Sequence, residues 1–439
     1  MKRSWKQSVK RQTAVCLLGM AVLGMAACGG KENMDNNLIT SEKEDKRVVR
    51  LFSPMEKTDP DAENIARSAS DKTVIMAEEE LDISVEYVTY TAEDYQEKTY
   101  DDVAIDRVRN NMDDLYLLNP DAIQKLAEEE KLMDLSGLDS AKNLREVVKA
   151  ANVVDGKLVA IPQEVAAYGL FVNKEMFDDC ELELPETPED FLECCRVFKE
   201  KGIDTPVGAN RWWLETFVLA QAYADLYNGG NTEKEIAALN SGESKYSDYM
   251  RPGFEFLQEL IDRGYIDVEK AIVSEAIEAE GSDFLAQKTP IVMAYWGAAN
   301  TDTAYGNPDF ELRVIGFPSS RGQMPVISMT GIGIGVGSEH AEDAMRTLEV
   351  MTSDEALQVY AETNKVISPS KNVEVDCISA LKPLNDRIEE NVFVLGSNAG
   401  MKLEQWGNTC LIVRKLLEGA TVDECMEEFD RLQEEASSD

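Results

Sequence analysis

Residues 155–177 read Asp155-Gly-Lys-Leu-Val-Ala-Ile-Pro162, Gln-Glu-Val-Ala-Ala-Tyr-Gly-Leu-Phe-Val-Asn173 and Lys174-Glu-Met-Phe177. The apolar part of this stretch, residues 165–173, is typical of a strand. A helix is predicted shortly after it, because Thr187 can act as N-cap, Pro188 takes the first position and acids fill the first turn. A strand followed by an amphipathic helix indicates a layered α/β fold.

The same alternation of strands and helices extends on both sides of this stretch. Residues 48–52 and 83–88 resemble strands, and a helix is predicted around residues 60–80 between them. Residues 114–118 resemble a buried strand that stops at Asn119 and Pro120. The pattern predicts an α/β fold, and 439 residues suit two domains or one elaborate domain.

The glycine-rich run at residues 331–337 has a period of two, with Gly at every odd position. It contains no G-x-G-x-x-G sequence and lacks the lysine of a phosphate-binding loop, so it does not indicate a nucleotide site. As a strand it presents Ile and Val on one face and bare backbone on the other. We therefore expect another segment to approach its bare face closely.

The N-terminus has the features of an export signal. Basic residues precede an uncharged, mostly apolar run at 13–27, which ends in Met25-Ala-Ala27 before Cys28. This ending resembles a bacterial lipobox, in which the cysteine receives a lipid after cleavage; Met25 departs from the usual leucine. The alternative is an uncleaved membrane anchor, for which the run is short. Residues 28–46 are polar and rich in Asn, and we expect a flexible tether there.

The charge of the chain excludes several classes of partner and site. The formal net charge is −39, and loss of residues 1–27 would bring it to −44, because that segment carries five basic and no acidic residues. Such acidity argues against nucleic acid and against charge-driven binding to anionic lipid. The single histidine, His340, argues against His-rich zinc sites and Ser-His-Asp triads, and we expect it at an exposed helix start.

Six cysteines would remain beside the lipid site in the exported chain. Their even number permits disulfides, but their spacing fits no compact disulfide framework. Mostly buried free thiols are favoured over disulfides. These six are Cys180, Cys194, Cys195, Cys377, Cys410 and Cys425.

Several segments together resemble the extracellular solute-binding proteins of family 1, the sugar-binding part of ABC importers. The D-G-K-x-Y-x-x-P, Y-N-K and P-x-T-W-x-E-F runs of that family correspond to residues 155–162, 172–174 and 185–191, with Val172 and Pro188 as departures. Later matches lie at residues 260–266, 284–296 and 315–318. They depart from the family pattern at Arg263, Gln287, Ile291 and Ala294.

This resemblance implies a two-lobed, type II binding-protein fold with the ligand held in the cleft between the lobes. The N-terminal lobe would comprise residues 47–162 and 297–337, and the C-terminal lobe residues 163–296 and 338–439. Hinge segments would cross near residues 162–165, near 293–296 and in or just past the glycine-rich strand. Ligand would favour the closed arrangement because it touches both lobes there.

A sugar site in such a cleft needs aromatic faces and convergent polar groups. The resemblance places Trp296 in the cleft, and one of the adjacent Trp212 and Trp213 is expected to face it. The other candidates are Trp406 and the polar residues that follow strands or lie at the first crossing, with Tyr168, Tyr295 and Arg211 as weaker ones. These polar candidates are Glu56, Asn119, Asp121 and Glu164.

The predicted function is that of a lipid-anchored, extracellular solute-binding protein on the cell membrane. It would capture a carbohydrate, with an oligosaccharide favoured, by hinge closure and deliver it to an ABC permease. We expect a monomer that is not an enzyme and needs no cofactor or metal. Two alternatives stay open at this point: a surface-attached glycoside hydrolase, and a sensory lipoprotein of the same fold without a role in transport.

Overall fold

The computed structural model describes residues 47–55, 68–91, 98–211, 213–273, 278–295, 308–374 and 379–437. Strands and helices alternate along much of these ranges, as predicted. The strands are β1 (Arg47–Ser53), β2 (Ile83–Thr89), β3 (Leu115–Leu118), β4 (Val153–Val154), β5 (Lys157–Leu158), β6 (Ala167–Asn173), β7 (Val207–Gly208), β8 (Ile291–Tyr295), β9 (Leu312–Ile315), β10 (Val326–Ile327), β11 (Gly331–Ile334) and β12 (Val394–Leu395). The helices are α1 (Ala69–Leu81), α2 (Tyr100–Arg109), α3 (Pro120–Glu128), α4 (Glu146–Asn152), α5 (Lys174–Asp179), α6 (Pro188–Glu200), α7 (Leu214–Asn228), α8 (Thr232–Ser241), α9 (Tyr246–Asp262), α10 (Val268–Val273), α11 (Glu278–Leu285), α12 (Ala341–Met351), α13 (Asp354–Asn364), α14 (Lys382–Glu389), α15 (Trp406–Leu417) and α16 (Val422–Ala436).

The first lobe is built on a sheet with the order β11-β3-β1-β2, in which β1, β2 and β3 are parallel and β11 is antiparallel. The glycine-rich strand is β11, and its bare face is closely covered as expected. A Cβ added at Gly331 would lie 2.8 Å from the Cβ of Ala160. The glycines therefore let the segment that leaves the lobe pack directly on the backbone of β11.

The second lobe is built on a sheet with the order β12-β10-β6-β8-β7, and β9 also pairs with β6. Its central strand β6 is the strand predicted from residues 165–173. Leu170 and Val172 pack into one apolar core and Phe171 into another, because successive side chains point to opposite faces. Together the two sheets give the two-lobed, type II α/β fold that the resemblance implies.

Hydrogen-bonded crossing segments join the lobes. Ile161 and Ile332 exchange backbone hydrogen bonds of 3.1 and 2.9 Å, and the Val165 N–H donates to the Ile367 carbonyl at 2.9 Å. The Ser328 N–H donates to the Ala166 carbonyl at 3.1 Å. Two connections therefore run side by side between the sheets, one at residues 162–166 and one at 328–330.

The strand pairing differs from the expected lobe boundaries. Residues 297–337 were expected in the N-terminal lobe, but β9 and β10 both pair with β6 of the second sheet, and β11 alone of the described strands in that range joins the first. The glycine-rich strand accordingly follows a crossing instead of containing it. A further crossing is expected near residues 293–296. Trp296 and the residues up to 307 lie outside the described ranges.

Helices α12 and α13 were expected in the C-terminal lobe, but they pack against α1 of the first lobe. Arg47 forms an ion pair with Asp343 at the start of α12, and the Lys72 ammonium donates to the Thr363 hydroxyl at 2.9 Å. Residues 338–439 therefore do not form a single continuous part of the C-terminal lobe.

Local signals in the sequence are well reproduced. Thr187 caps α6 with a capping box, because its hydroxyl accepts from the Asp190 N–H at 3.2 Å while the Asp190 carboxylate accepts from the Thr187 N–H at 3.0 Å. His340 directly precedes α12, and 54% of its side chain is exposed.

The structure agrees with the expectation of mostly buried free thiols. Cys194, Cys195 and Cys425 are buried free thiols, Cys180 is a half-buried one, and Cys377 lies outside the described residues. Burial raises the pKa of the Cys425 thiol to about 11 and that of Cys194 to about 12. These thiols are therefore poor nucleophiles at neutral pH. Across the described ranges, no helix has both the length and the apolar character to span a membrane.

Candidate functional site

The cleft between the lobes is bounded by one edge of each sheet. Gly331 pairs with Leu118, so the crossing segment before β11 enters the first sheet where the parallel strand β3 ends. Ile327 pairs with Ala167, so the same segment leaves the second sheet at the start of β6. Strands β7, β8, β10 and β12 also end at that edge, because they all run antiparallel to β6. The described residues that follow β3, β7, β10 and β12 therefore lie toward the cleft, the usual place for ligands in open α/β sheets.

An aromatic pair lies at the second-lobe edge of the cleft. Tyr168 is near the start of β6 and Trp406 is the first residue of α15; both are half-buried, with ring centroids 4.9 Å apart and planes inclined by 53°. Gly396, just after β12, gives the indole its room, since a Cβ there would lie 2.5 Å from Trp406 Cζ3. The two rings present a broad, partly open apolar surface.

The adjacent tryptophans precede α7. Trp213 is half-buried against both large apolar cores, and its carbonyl accepts from the Thr216 N–H at 3.1 Å. Trp212 lies outside the described residues. Arg211 is turned toward α10, where its guanidinium donates to the Ile272 carbonyl at 2.9 Å and its N–H to the Ala271 carbonyl at 3.1 Å. This pairing orients Arg211 for a structural role at the edge of the lobe.

The first-lobe edge carries amide and carboxyl groups. Asn119, the residue before α3, does not cap that helix with its side chain; instead its amide donates to Asp101 Oδ1 of α2 at 2.9 Å. Burial raises the pKa of Asp101, while this hydrogen bond lowers it to a smaller extent. Asp121, in the first turn of α3, lies beside this pair.

Glu404 reaches this group from the opposite lobe. Burial raises the pKa of Asp121 well above its ordinary value, and the charge of Glu404 and a side-chain hydrogen bond to it raise the pKa further. Glu404 is fixed by its own loop, because its carboxylate accepts from the Gly407 N–H at the start of α15. Two predicted residues, Asn119 and Asp121, thus meet two that sequence reasoning missed, Asp101 and Glu404.

The loop at residues 396–405, which joins β12 to α15, carries Glu404 across the cleft. Ala399 is buried in an apolar cluster of the first lobe, and the Gln124 amide of α3 donates to the Met401 carbonyl. Asn240 of α8 holds the loop from behind, donating to the Gly400 carbonyl at 2.8 Å and accepting from the Lys402 N–H at 2.9 Å. The two lobes are therefore in direct contact through this loop.

The other predicted site residues lie away from this group of side chains or outside the described residues. Glu164 sits at the first crossing near α13, where its charge contributes to the raised pKa of Tyr360 after the larger effect of burial. The backbone of Tyr295 pairs with Tyr168 in β8. Trp296 and Glu56 lie outside the described residues, and so does the lipid site Cys28.

The described side chains at the edges of the cleft are aromatic, amide and carboxyl groups. Within the described ranges, no cluster of His, Cys, Asp and Glu could hold a metal ion.

Comparison with known proteins identifies the family. The family model described as bacterial extracellular solute-binding protein matches residues 62–358 of the sequence, more than half of the chain. The chain belongs to this family. Its members bind solutes and are not enzymes, which agrees with the predicted absence of catalytic activity and argues against the glycoside hydrolase alternative.

Two solute-binding proteins, MelE and RafE, are distantly similar to this one. The melibiose/raffinose/stachyose-binding protein MelE of Bacillus subtilis (strain 168) is 23% identical over 319 residues, which are 70% of this chain and 68% of MelE. The apo-form of RafE from Streptococcus pneumoniae has a TM-score of 0.69 at 17% identity, covering 90% of this chain and 98% of RafE. RafE in complex with raffinose has a TM-score of 0.64 at 17% identity, covering 89% and 99%. The structural likeness shows the fold.

Proposed function

We propose that this protein captures an oligosaccharide between its lobes and delivers it to a membrane permease of an ABC importer. The observation that carries the proposal is the opposition of the Tyr168–Trp406 pair on one lobe to Asp101, Asn119 and Asp121 on the other. We also propose that Trp213, Trp296 and Trp212, together with Glu56 and Glu164, contribute to this site.

The chemistry of these groups suits a carbohydrate. Aromatic rings offer flat apolar faces to pyranose rings, and carboxylates and amides accept or donate hydrogen bonds to sugar hydroxyls. A ligand seated between the lobes would touch both, so it would bind the closed arrangement more tightly than the open one. The names of MelE and of the RafE complex mention raffinose, and that of MelE also mentions melibiose and stachyose.

Attachment to the membrane completes the proposed mechanism. A lipid on Cys28 would hold the protein at the extracellular face, and residues 29–46 would give it slack. Tethering raises the effective concentration of the binding protein near its permease. The sensory alternative shares the same fold and the same binding step.

Titration calorimetry tests the binding step directly. We expect one-to-one binding of at least one of raffinose, stachyose and melibiose, and a loss of affinity of at least about tenfold in Trp406→Ala, about 1.4 kcal/mol. Tyr249→Ala is a matched control, because Tyr249 is a half-buried aromatic residue of α9 that pairs with Tyr223 in the core of the second lobe.

Absence of binding to every glycan of a broad panel, or release of hydrolysed sugar, would refute the proposal. Membrane vesicles that carry the cognate permease test delivery: uptake of labelled sugar should require both ATP and this protein. Binding without uptake would favour the sensory alternative.

A further inference from the structure

The loop at residues 396–405 is anchored in the second lobe. The side chains of Met401 and Leu403 are buried in the apolar core of that lobe. Asn398 adds a polar anchor, because its amide donates to the hydroxyl of Tyr227 on α7 at 3.0 Å. The loop should therefore move together with the second lobe.

The tip of the same loop is buried in the first lobe. Ala399 is 4% exposed, and it belongs to an apolar cluster whose other buried members, among the described residues, all lie between Phe52 and Ala160 of the first lobe. A loop that is anchored in one lobe and buried in the other must lose one of these contacts when the lobes separate.

Helix α3 shows the same contact from the side of the first lobe. Its residues Ala122, Ile123 and Leu126 pack into the first-lobe cluster and define the core face of the helix. At about 3.6 residues per turn, Gln124 lies on the opposite face, where a polar side chain is normally exposed to solvent. Gln124 is nevertheless only 6% exposed, and its amide donates to the Met401 carbonyl. The loop of the second lobe therefore covers the outer face of α3 at Gln124.

We propose that the burial of Ala399 and the Gln124–Met401 hydrogen bond form a latch that holds the two lobes together before a solute arrives. Neither contact requires a group in the cleft, so both act in the solute-free protein. Separation of the lobes would expose the Ala399 methyl group to water and break the hydrogen bond. The closed arrangement should therefore be the more populated one without solute.

The consequence of the latch for solute binding rests on the proposed function. A solute enters the cleft only when the lobes are apart, so the latch should slow association. The bound solute prefers the closed arrangement, which the latch already favours, so the latch should also strengthen equilibrium binding. A weaker latch should accelerate association and reduce affinity.

Small-angle X-ray scattering of the solute-free protein at pH 7.5 tests the latch. Gln124→Glu should increase the radius of gyration, because a carboxylate cannot donate to the Met401 carbonyl; we expect the ratio of closed to open protein to fall at least about fivefold. Ala399→Asp should act in the same direction, since a carboxylate is unfavourable in an apolar cluster. The double variant loses both contacts and should be open.

Gln258→Glu is the matched control, because the Gln258 amide donates to Asp262 Oδ1 within α9 of the second lobe at 2.8 Å. Its radius should equal that of the wild type. A radius that is unchanged in the double variant, or that increases equally in Gln258→Glu, would overturn the latch. Circular dichroism distinguishes opening from unfolding, and if the double variant loses helicity the two single variants decide.

Calorimetry with raffinose, stachyose and melibiose separates the latch from the proposed function. For a sugar that binds, Gln124→Glu should bind more weakly than the wild type, and stopped-flow tryptophan fluorescence should show faster association. Absence of binding to all three sugars in the wild type would count against the proposed function and leave the scattering result to decide on the latch.

Discussion

Replacing Glu215 by glutamine should stabilise the protein at neutral pH. Glu215 lies in the first turn of α7, the residue is 0% exposed, and neither carboxylate oxygen has a hydrogen-bond partner in any other described residue. Burial raises its pKa well above the ordinary value, while its own backbone N–H lowers it to a smaller extent. The folded protein therefore holds a proton on Glu215 at pH values where the unfolded chain has released it.

The size of the effect follows from this difference in proton binding. Above an ordinary Glu pKa of about 4.3, the free energy of unfolding of the wild type should fall by about 1.4 kcal/mol per pH unit relative to that of Glu215→Gln. The decline ends when the pH passes the folded-state pKa of Glu215. Near pH 4 the two proteins should differ little, because a neutral acid and an amide are both buried polar groups without partners.

Urea denaturation at pH 4, 5, 6 and 7 measures this difference. Glu427→Gln is the control, since Glu427 is exposed on α16 and its replacement should shift stability equally little at every pH. Stability curves of wild type and Glu215→Gln that run parallel across the pH range would refute the reasoning. They would mean that Glu215 is ionised in the folded protein and that a partner compensates its charge.

Three further predictions concern the cleft and the membrane. Gly396→Ala should weaken sugar binding and shift tryptophan fluorescence, because its methyl group would lie 2.5 Å from Trp406 Cζ3 and displace the indole; unchanged fluorescence and affinity would contradict this. Trp296→Ala should weaken binding by at least about tenfold in calorimetry without changing the thermal unfolding midpoint, whereas an unchanged affinity would assign Trp296 to the core. Cys28→Ser should release the protein from membranes on cell fractionation, and protein that stays attached would indicate an uncleaved anchor.

The parts of the site that follow strands were predictable because they depend on local sequence. Asn119 and Asp121 come directly after β3, and residues at the ends of parallel strands meet at the same edge of a sheet. Such inferences need only the strand, its end and the direction of the chain. Trp406 was instead proposed from the family resemblance, which implies an aromatic residue before a C-terminal helix.

The lobe boundaries could not be derived in the same way. Strands β9 and β10 have four and two residues, and their place beside β6 is set by pairing partners 139 to 160 positions earlier in the chain. The pairing of strands this short depends on tertiary context more than on the propensity of their own residues. The same holds for α12 and α13, whose contacts with α1 include the Arg47–Asp343 ion pair.

Asp101 and Glu404 were missed for a related reason. Asp101 follows the helix-capping residue Thr99, so in sequence it resembles an ordinary acid in a first turn. Glu404 reaches the first lobe only because the 396–405 loop is held there by Asn240 and buries Ala399. Glu404 is one of 83 acids, and no local pattern distinguishes it from the others.

The placement of Glu404 two residues before Trp406 connects the 396–405 loop with the aromatic pair. Both residues belong to the turn that starts α15, and the Glu404 carboxylate accepts from the Gly407 N–H of that turn. The same loop contacts the first lobe through buried Ala399 and through the Gln124–Met401 hydrogen bond. We therefore expect a movement of this loop away from α3 to increase the distance between the Trp406 ring and Asn119, so that solute affinity depends on these two contacts.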